Sequence, residues 1–171
     1  MGVDLVSLAN NHVCDYGVDG LLDTMRILNE SKVAYIGAGK DLSDLKTTQY
    51  YIMGCRKISI ISATQIERSY TYTKQATVNS PGVLKTQTEN YVRNAIAAAK
   101  AKSDYVIVYI HWGSEGTLGM ASDQKRLMEE YVNAGASLIV GNHPHRMQGV
   151  SYYNGVPVVH SLGNFWFSNG S

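Results

Sequence analysis

Three apolar, strand-like runs in this chain each break off at histidine: VDLVSLANN before His12, DYVIVYI before His111, and SLIVGN before His143 and His145. Open α/β sheets bind their ligands in the crevice outside the carboxyl ends of their strands, so four imidazoles placed there predict an α/β fold organised around a nitrogen-rich crevice. Such a grouping points to metal-dependent hydrolysis. A site of that kind also needs carboxylates from an opening strand, and only Met1 to Asn10 precede Asn11.

The runs between the histidines predict the remaining elements. Val3 to Ala9 reads as a buried strand, and Gly17 to Glu30 as a helix with Val18, Leu21, Leu22, Met25, Ile27 and Leu28 mostly on one face. A short strand from Val33 to Gly37 and a polar connection over Gly39 to Lys46 follow. Gln49 to Met53 and Lys57 to Ala63, joined by Gly54-Cys55-Arg56, predict an antiparallel hairpin, hence a mixed sheet. Gln65 to Lys85 is polar and aperiodic, which predicts either a functional cover over the site or a disordered excursion. Thr86 to Lys102 predicts an Ala-rich helix with a Thr cap and a Glu in its first turn. Asp104 to Trp112 is the expected central strand, Ser122 to Ala134 a helix closed by Gly135, and Ser137 to Val140 another strand. Gly149 to Tyr153 and Val156 to Leu162, joined by Asn154-Gly155, form the last predicted hairpin.

A chain of 171 residues with 44% hydrophobic and 17% charged residues is long enough for one buried core. The expectation is one domain over residues 1–171. Its net charge of +1 and the lack of any Lys/Arg run exclude an electrostatic footprint for nucleic acid or an anionic membrane surface. No apolar stretch approaches the roughly 20 residues that span a bilayer, and the N-terminus lacks a secretory signal layout. Cys14 and Cys55 fit buried small apolar residues or a disulfide, without a C-x-x-C pair.

His143-Pro144-His145 is the sharpest signal. In an extended backbone residues i and i+2 point the same way, so both imidazoles would face one crevice, against the alternative of two exposed loop histidines. His111, a core or loop histidine if taken alone, becomes a candidate third nitrogen beside that pair. Asn10-Asn11-His12 reads either as an Asn-rich turn or as an amide ligand next to an imidazole that protonates a leaving group.

The segments SLANNHVCDYGVDGLLDTMRIL, IGAG, DYVIVYIHWGSE, ASDQKRLMEEYVNAGASLIVGNHPHRMQG and GVPVVHSLGNFWF, in that order, resemble the bacterial poly-γ-glutamate capsule biosynthesis family of the calcineurin-like metallophosphoesterase superfamily. The resemblance covers almost the whole chain. It implies an α/β/β/α fold, a mixed β-sheet sandwich core flanked by helices, with divalent metal ions (Mn, Zn or Fe) in the crevice. It further implies Asn11 as a metal ligand, His111 and His143 as ligands of the second metal, His145 as a ligand of the first, and His12 as general acid. Val13 stands where superfamily members often carry a carboxylate that orients the histidine, and Asp15, two residues further on, is the candidate for that role. Glu115, in a pattern like the family's H-W-G-x-E, is read as ligand support, a substrate contact or a plain solvated acid. Asn142, Arg146 and Asn164 are read as substrate contacts or ligand support. Gly163 is expected to let the backbone approach the crevice while Leu162 and Phe165 pack the core, and His160, where the family commonly has an aromatic residue, is read as structural.

Superfamily sites also take acidic residues from two opening strands, and nothing before Asn11 supplies them, because Asp4 sits at the wrong end of its strand. The expectation is therefore an N-terminally truncated domain that lacks its first strands, holds one metal or none, and hydrolyses little. An uncovered sheet edge or face should then favour self-association. The resemblance implies an extracytoplasmic or membrane-associated parent protein that works with capsule synthesis machinery or an anionic polymer. The alternative is a non-catalytic scaffold of that machinery with a relic metal site.

Overall fold

The computed structural model describes residues 2–66, 71–87 and 90–166. Its strands are β1 (Leu5–Ser7), β2 (Ala34–Ile36), β3 (Ala38–Gly39), β4 (Thr48–Met53), β5 (Arg56–Thr64), β6 (Gly82–Val83), β7 (Tyr105–His111), β8 (Leu138–Asn142), β9 (Met147–Tyr153) and β10 (Val156–Leu162). Its helices are α1 (Gly17–Glu30), α2 (Tyr91–Lys100) and α3 (Ser122–Ala134).

Alternation along β7 sets the layers. Val106, Val108 and Ile110 are buried against Val92 and Ile96 of α2 and Leu127 and Tyr131 of α3, so both helices cover one face of the sheet. That sheet has the order β4-β5-β7-β8-β10-β9. Its four inner strands run parallel, and β4 and β9 pair antiparallel at the edges. The other face looks toward the parallel pair β1-β2, whose outer side carries α1 through Leu21, Met25 and Tyr35. The result is the α/β/β/α layering expected of the sequence. Between the two sheets lies a cavity of about 780 Å³, with Leu5, Val6 and Ile36 on one wall and Ile60, Ile107 and Tyr109 on the other. One polar link joins the walls beside it, Ser7 Oγ to Ser62 Oγ at 2.6 Å. The large sheet is thus incompletely covered on that face.

Local chemistry explains the boundaries. Gly135 ends α3 at φ 115°, a conformation that a side chain would strain. Asn154 and Gly155 take φ 50° and 79°, the two positive values that a two-residue hairpin turn requires. The second helix begins at Tyr91 rather than Thr86, preceded by Asn90 at φ 56°; the expected Thr cap and first-turn Glu at Thr88 and Glu89 lie outside the described residues.

Three expectations need correction. The segment from Gln65 to Lys85 is neither cover nor excursion where it is described. Thr73, Ala76, Val83 and Leu84 are fully or almost fully buried, β6 pairs with β3, and the segment packs beneath the Asn11 turn. Leu162 and Phe165 do not pack the core: both are exposed, because the chain leaves the sheet at Gly163. Cys14 is buried and Cys55 sits exposed in the β4–β5 turn, both as free thiols.

His160 is structural, as read. It is buried, its Nε2 lies 2.7 Å from Ser151 Oγ, and its carbonyl accepts the Trp112 indole N–H at 2.8 Å. Burial holds its imidazole below the usual histidine pKa.

Candidate functional site

Strand register brings the site together. β7 and β8 run parallel with His111 opposite Asn142, so the first residue past β8, His143, emerges at the same sheet end as His111. Their rings lie 4.6 Å apart between centroids, and His145 follows at 6.2 Å from His143. The H-P-H segment is not extended, contrary to the reading from its spacing. His143 has φ 98° and His145 φ 58°, left-handed backbone that non-glycine residues rarely adopt and that concentrates at functional sites. A tight turn, rather than strand alternation, aims both rings to one side.

Asn11 reaches the same place from β1. Asn10 Oδ1 accepts the His12 amide at 2.9 Å, and Thr73 donates its hydroxyl to the Asn11 carbonyl at 2.9 Å, which fixes the turn from both sides. Asn11 is buried, and its Oδ1 lies 2.9 Å from His111 Nε2. Two donors bound to one cation at metal–ligand distances of about 2.1 Å and a right angle would be about 3.0 Å apart, so this spacing suits joint ligation as well as a hydrogen bond.

His12 is exposed beside this group, with Nδ1 2.7 Å from Asp15 Oδ2. Asp15 therefore lies within hydrogen-bond reach of the ring. His145 Nδ1 lies 2.7 Å from Asn164 Oδ1 in the same way, and Asn142 donates Nδ2–H to Tyr109 Oη at 2.6 Å. A cleft of about 760 Å³ runs over these side chains, and Glu115, Arg146 and Asn164 line it. Of the ten residues singled out in the sequence, seven line it, His143 stands against the His111 ring, Asn142 lines the adjoining cavity between the sheets, and Asp15 lies against His12.

Sequence reasoning missed the residues that hold the Glu115 loop. Gln148 is buried and donates through Nε2 to the carbonyls of Thr117 and Gly119 at 3.2 and 3.0 Å, while its Oε1 accepts from Gln124 Nε2 at 3.0 Å. Gly116 N–H donates to the Pro144 carbonyl at 2.8 Å, tying the loop to the H-P-H turn. A signal existed for Gln124, which stands on the inward face of α3 at helical spacing from Leu127, Met128 and Tyr131.

Electrostatically the inner site is neutral. Burial, then the neighbouring imidazole of His143, lowers the pKa of His111 to about 3, and burial lowers that of His143. Neutral imidazoles are the form that binds metal. Asn11, His111 and His143 therefore suit three positions around a borderline divalent cation, yet they bring no negative charge. Among the described residues no three His, Cys, Asp or Glu side chains are grouped so as to hold an ion. The donors fit part of a coordination shell.

The family model described as bacterial capsule synthesis protein PGA_cap matches residues 1–169. The PGA biosynthesis protein CapA of Bacillus subtilis is 35% identical over 99% of this chain and 44% of its own length, and the capsule biosynthesis protein CapA of Bacillus anthracis is 33% identical over 99% and 41%. The chain thus spans less than half the length of these relatives. Among solved structures, the sulfate thiohydrolase SoxB of Thermus thermophilus superimposes with a TM-score of 0.67 at 13% identity, covering 95% of this chain and 28% of that one. The NAD nucleotidase of Haemophilus influenzae gives 0.56 at 17%, covering 94% and 30%. These likenesses show a shared fold, the two sheets layered between helices.

Proposed function

The chain belongs to the bacterial capsule synthesis protein family PGA_cap, and from that premise we propose that it serves poly-γ-glutamate capsule synthesis through metal-dependent, phosphoesterase-like hydrolysis in the cleft. The observation that carries this reading is the approach of Asn11 Oδ1 to His111 Nε2 at 2.9 Å with the His143 ring alongside. Asn11, His111 and His143 would hold one divalent cation (Mn, Zn or Fe), with His145 directed to a second. A bound cation would supply Lewis-acid polarisation and a water of lowered pKa. The chain's own part is orientation and proton transfer. With Asp15 accepting the Nδ1–H of the His12 imidazolium, the Nε2–H is the proton that would pass to a leaving oxygen, leaving a neutral ring. Asn164 fixes the ring of His145 in the same manner.

The proposed setting is the cell surface, in contact with capsule machinery or the anionic polymer. No helix among the described residues is long and apolar enough to cross a membrane. We further propose self-association through β9, an edge strand that exposes Met147, Val150 and Tyr152. Light scattering should then give a mass above that of one chain, lowered by Val150→Lys; a monomer at all concentrations would contradict it.

One observation favours a second reading, a non-catalytic scaffold with a relic site: the described donors include no anionic ligand group. Hydrolysis of bis(p-nitrophenyl) phosphate by this chain and by the longer Bacillus subtilis relative, with Mn, Zn or Fe added and then chelated, separates the two. The hydrolase reading expects metal-dependent turnover in the relative and a weaker one in this chain, both lost on chelation, and a further fall of about 10²- to 10⁴-fold in this chain with His12→Asn. No metal-dependent turnover in either would leave the scaffold.

A further inference from the structure

Arg146 is placed differently from the paired arginines of the surface. Arg26 is held between Asp23 and Glu30, Arg56 by Asp104, and Arg126 by Glu130, while Arg93, exposed on α2, likewise has no acidic partner among the described residues but does not line the cleft. Arg146 makes no ion pair or hydrogen bond among the described residues, although Glu115 lines the same cleft. Among the described residues lining that cleft it is the one Lys or Arg.

An exposed arginine ordinarily sweeps a wide volume, but the backbone under this one is clamped. His145 before it is left-handed and tied to Asn164 at 2.7 Å. Gln148 after it is buried and bonded to the Thr117–Gly119 loop. On the third side Gly163, at φ 69°, approaches so closely that a Cβ there would stand 3.0 Å from the Met147 amide nitrogen and 3.3 Å from the Arg146 carbonyl carbon. The guanidinium therefore leaves from a fixed point on the cleft wall, directly after the last site histidine.

We propose that Arg146 anchors an oxyanion, a carboxylate or phosphate, on the substrate whose bond lies at His12 and the His111–His143 pair. The inference rests on reading this cleft as the hydrolytic site, but it requires only binding. A guanidinium presents paired, parallel N–H donors matched to two oxygens of such a group, a geometry that the two divergent ring nitrogens of an imidazole do not have. Glu115 in the same lining repels a second anion, so an anionic chain would run along the Arg146 side of the cleft.

Calorimetric titration of the metal-free chain with inorganic phosphate, with γ-linked triglutamate and with the same peptide capped as its amides tests this. Triglutamate or phosphate should bind and the capped peptide should not; binding of triglutamate alone identifies a carboxylate source, and of phosphate alone a phosphate source. Arg146→Met should weaken anion binding about 10- to 100-fold, and Arg146→Lys should retain part of it. Both variants should keep the parent's thermal unfolding, because the side chain is exposed. Failure of both anions to bind, equal binding of the capped peptide, or undiminished binding by Arg146→Met would overturn the assignment. Arg146-dependent binding in a protein without metal-dependent turnover would leave the anchor standing and remove the hydrolase reading alone.

Discussion

Alanine at Gly141 is expected to leave little or no folded protein. Gly141 lies inside β8, between β7 and β10, and a Cβ built there would stand 2.2 Å from the His160 carbonyl oxygen and 2.2 Å from Trp112 Nε1. Neither atom can yield independently, because the indole N–H donates to that same carbonyl at 2.8 Å and Trp112 is completely buried. Ordinary overpacking costs about 1–3 kcal/mol; here one obstacle is backbone of a paired strand, so the cost belongs at or above the top of that range. Against a total stability of about 5–15 kcal/mol that is enough to unfold a marginal domain. Gly149→Ala is the control, since its Cβ would meet nothing within 4 Å. Circular dichroism and thermal melts of both variants check the expectation. A cooperative melt of Gly141→Ala within a few degrees of the parent would show that the sheet accommodates the methyl group.

The same glycine shows where the sequence could be read and where it could not. Periodicity located α1 and α3 to the residue, and the strands about them to within a few positions, because burial of one face imposes a repeat on the residues themselves. The convergence of His111, His143 and His145 was also legible, since all follow apolar runs that can only be strands of one sheet. Three things were hidden. The turn that aims His143 and His145 depends on positive φ at two non-glycine residues, which no local preference announces. The packing of Thr73 beneath Asn11 joins residues far apart in a segment that has no repeat of its own. The bracing of the Glu115 loop by Gln148 is a tertiary arrangement of hydrogen bonds whose partners, two carbonyls, have no sequence signature.

Removing the His111 imidazole should have opposite effects on metal binding and on acid stability. As one of three donors with Asn11 and His143, it supplies the nitrogen that lies against Asn11 Oδ1, so His111→Ala should weaken Mn²⁺ or Zn²⁺ binding by about 10²-fold or more, beyond the loss typical of residues that only orient a ligand. Stability against acid runs the other way. The folded protein holds this ring neutral down to about pH 3, chiefly through burial, whereas the unfolded chain protonates it near 6.5. Between those values the unfolded state binds more protons, so the parent's stability is fully present above pH 6.5 and falls as the pH drops toward 3. Alanine abolishes that linkage, and the slope of unfolding free energy against pH should flatten across the window even if the cavity left behind lowers stability at neutral pH. Denaturant titrations from pH 7 to 4 and metal titrations at pH 7.5 measure the two effects separately. A variant that binds metal like the parent would remove His111 from the donor set. An unchanged slope would place the acid sensitivity in the other buried imidazoles, His143 and His160, whose pKa values burial also lowers.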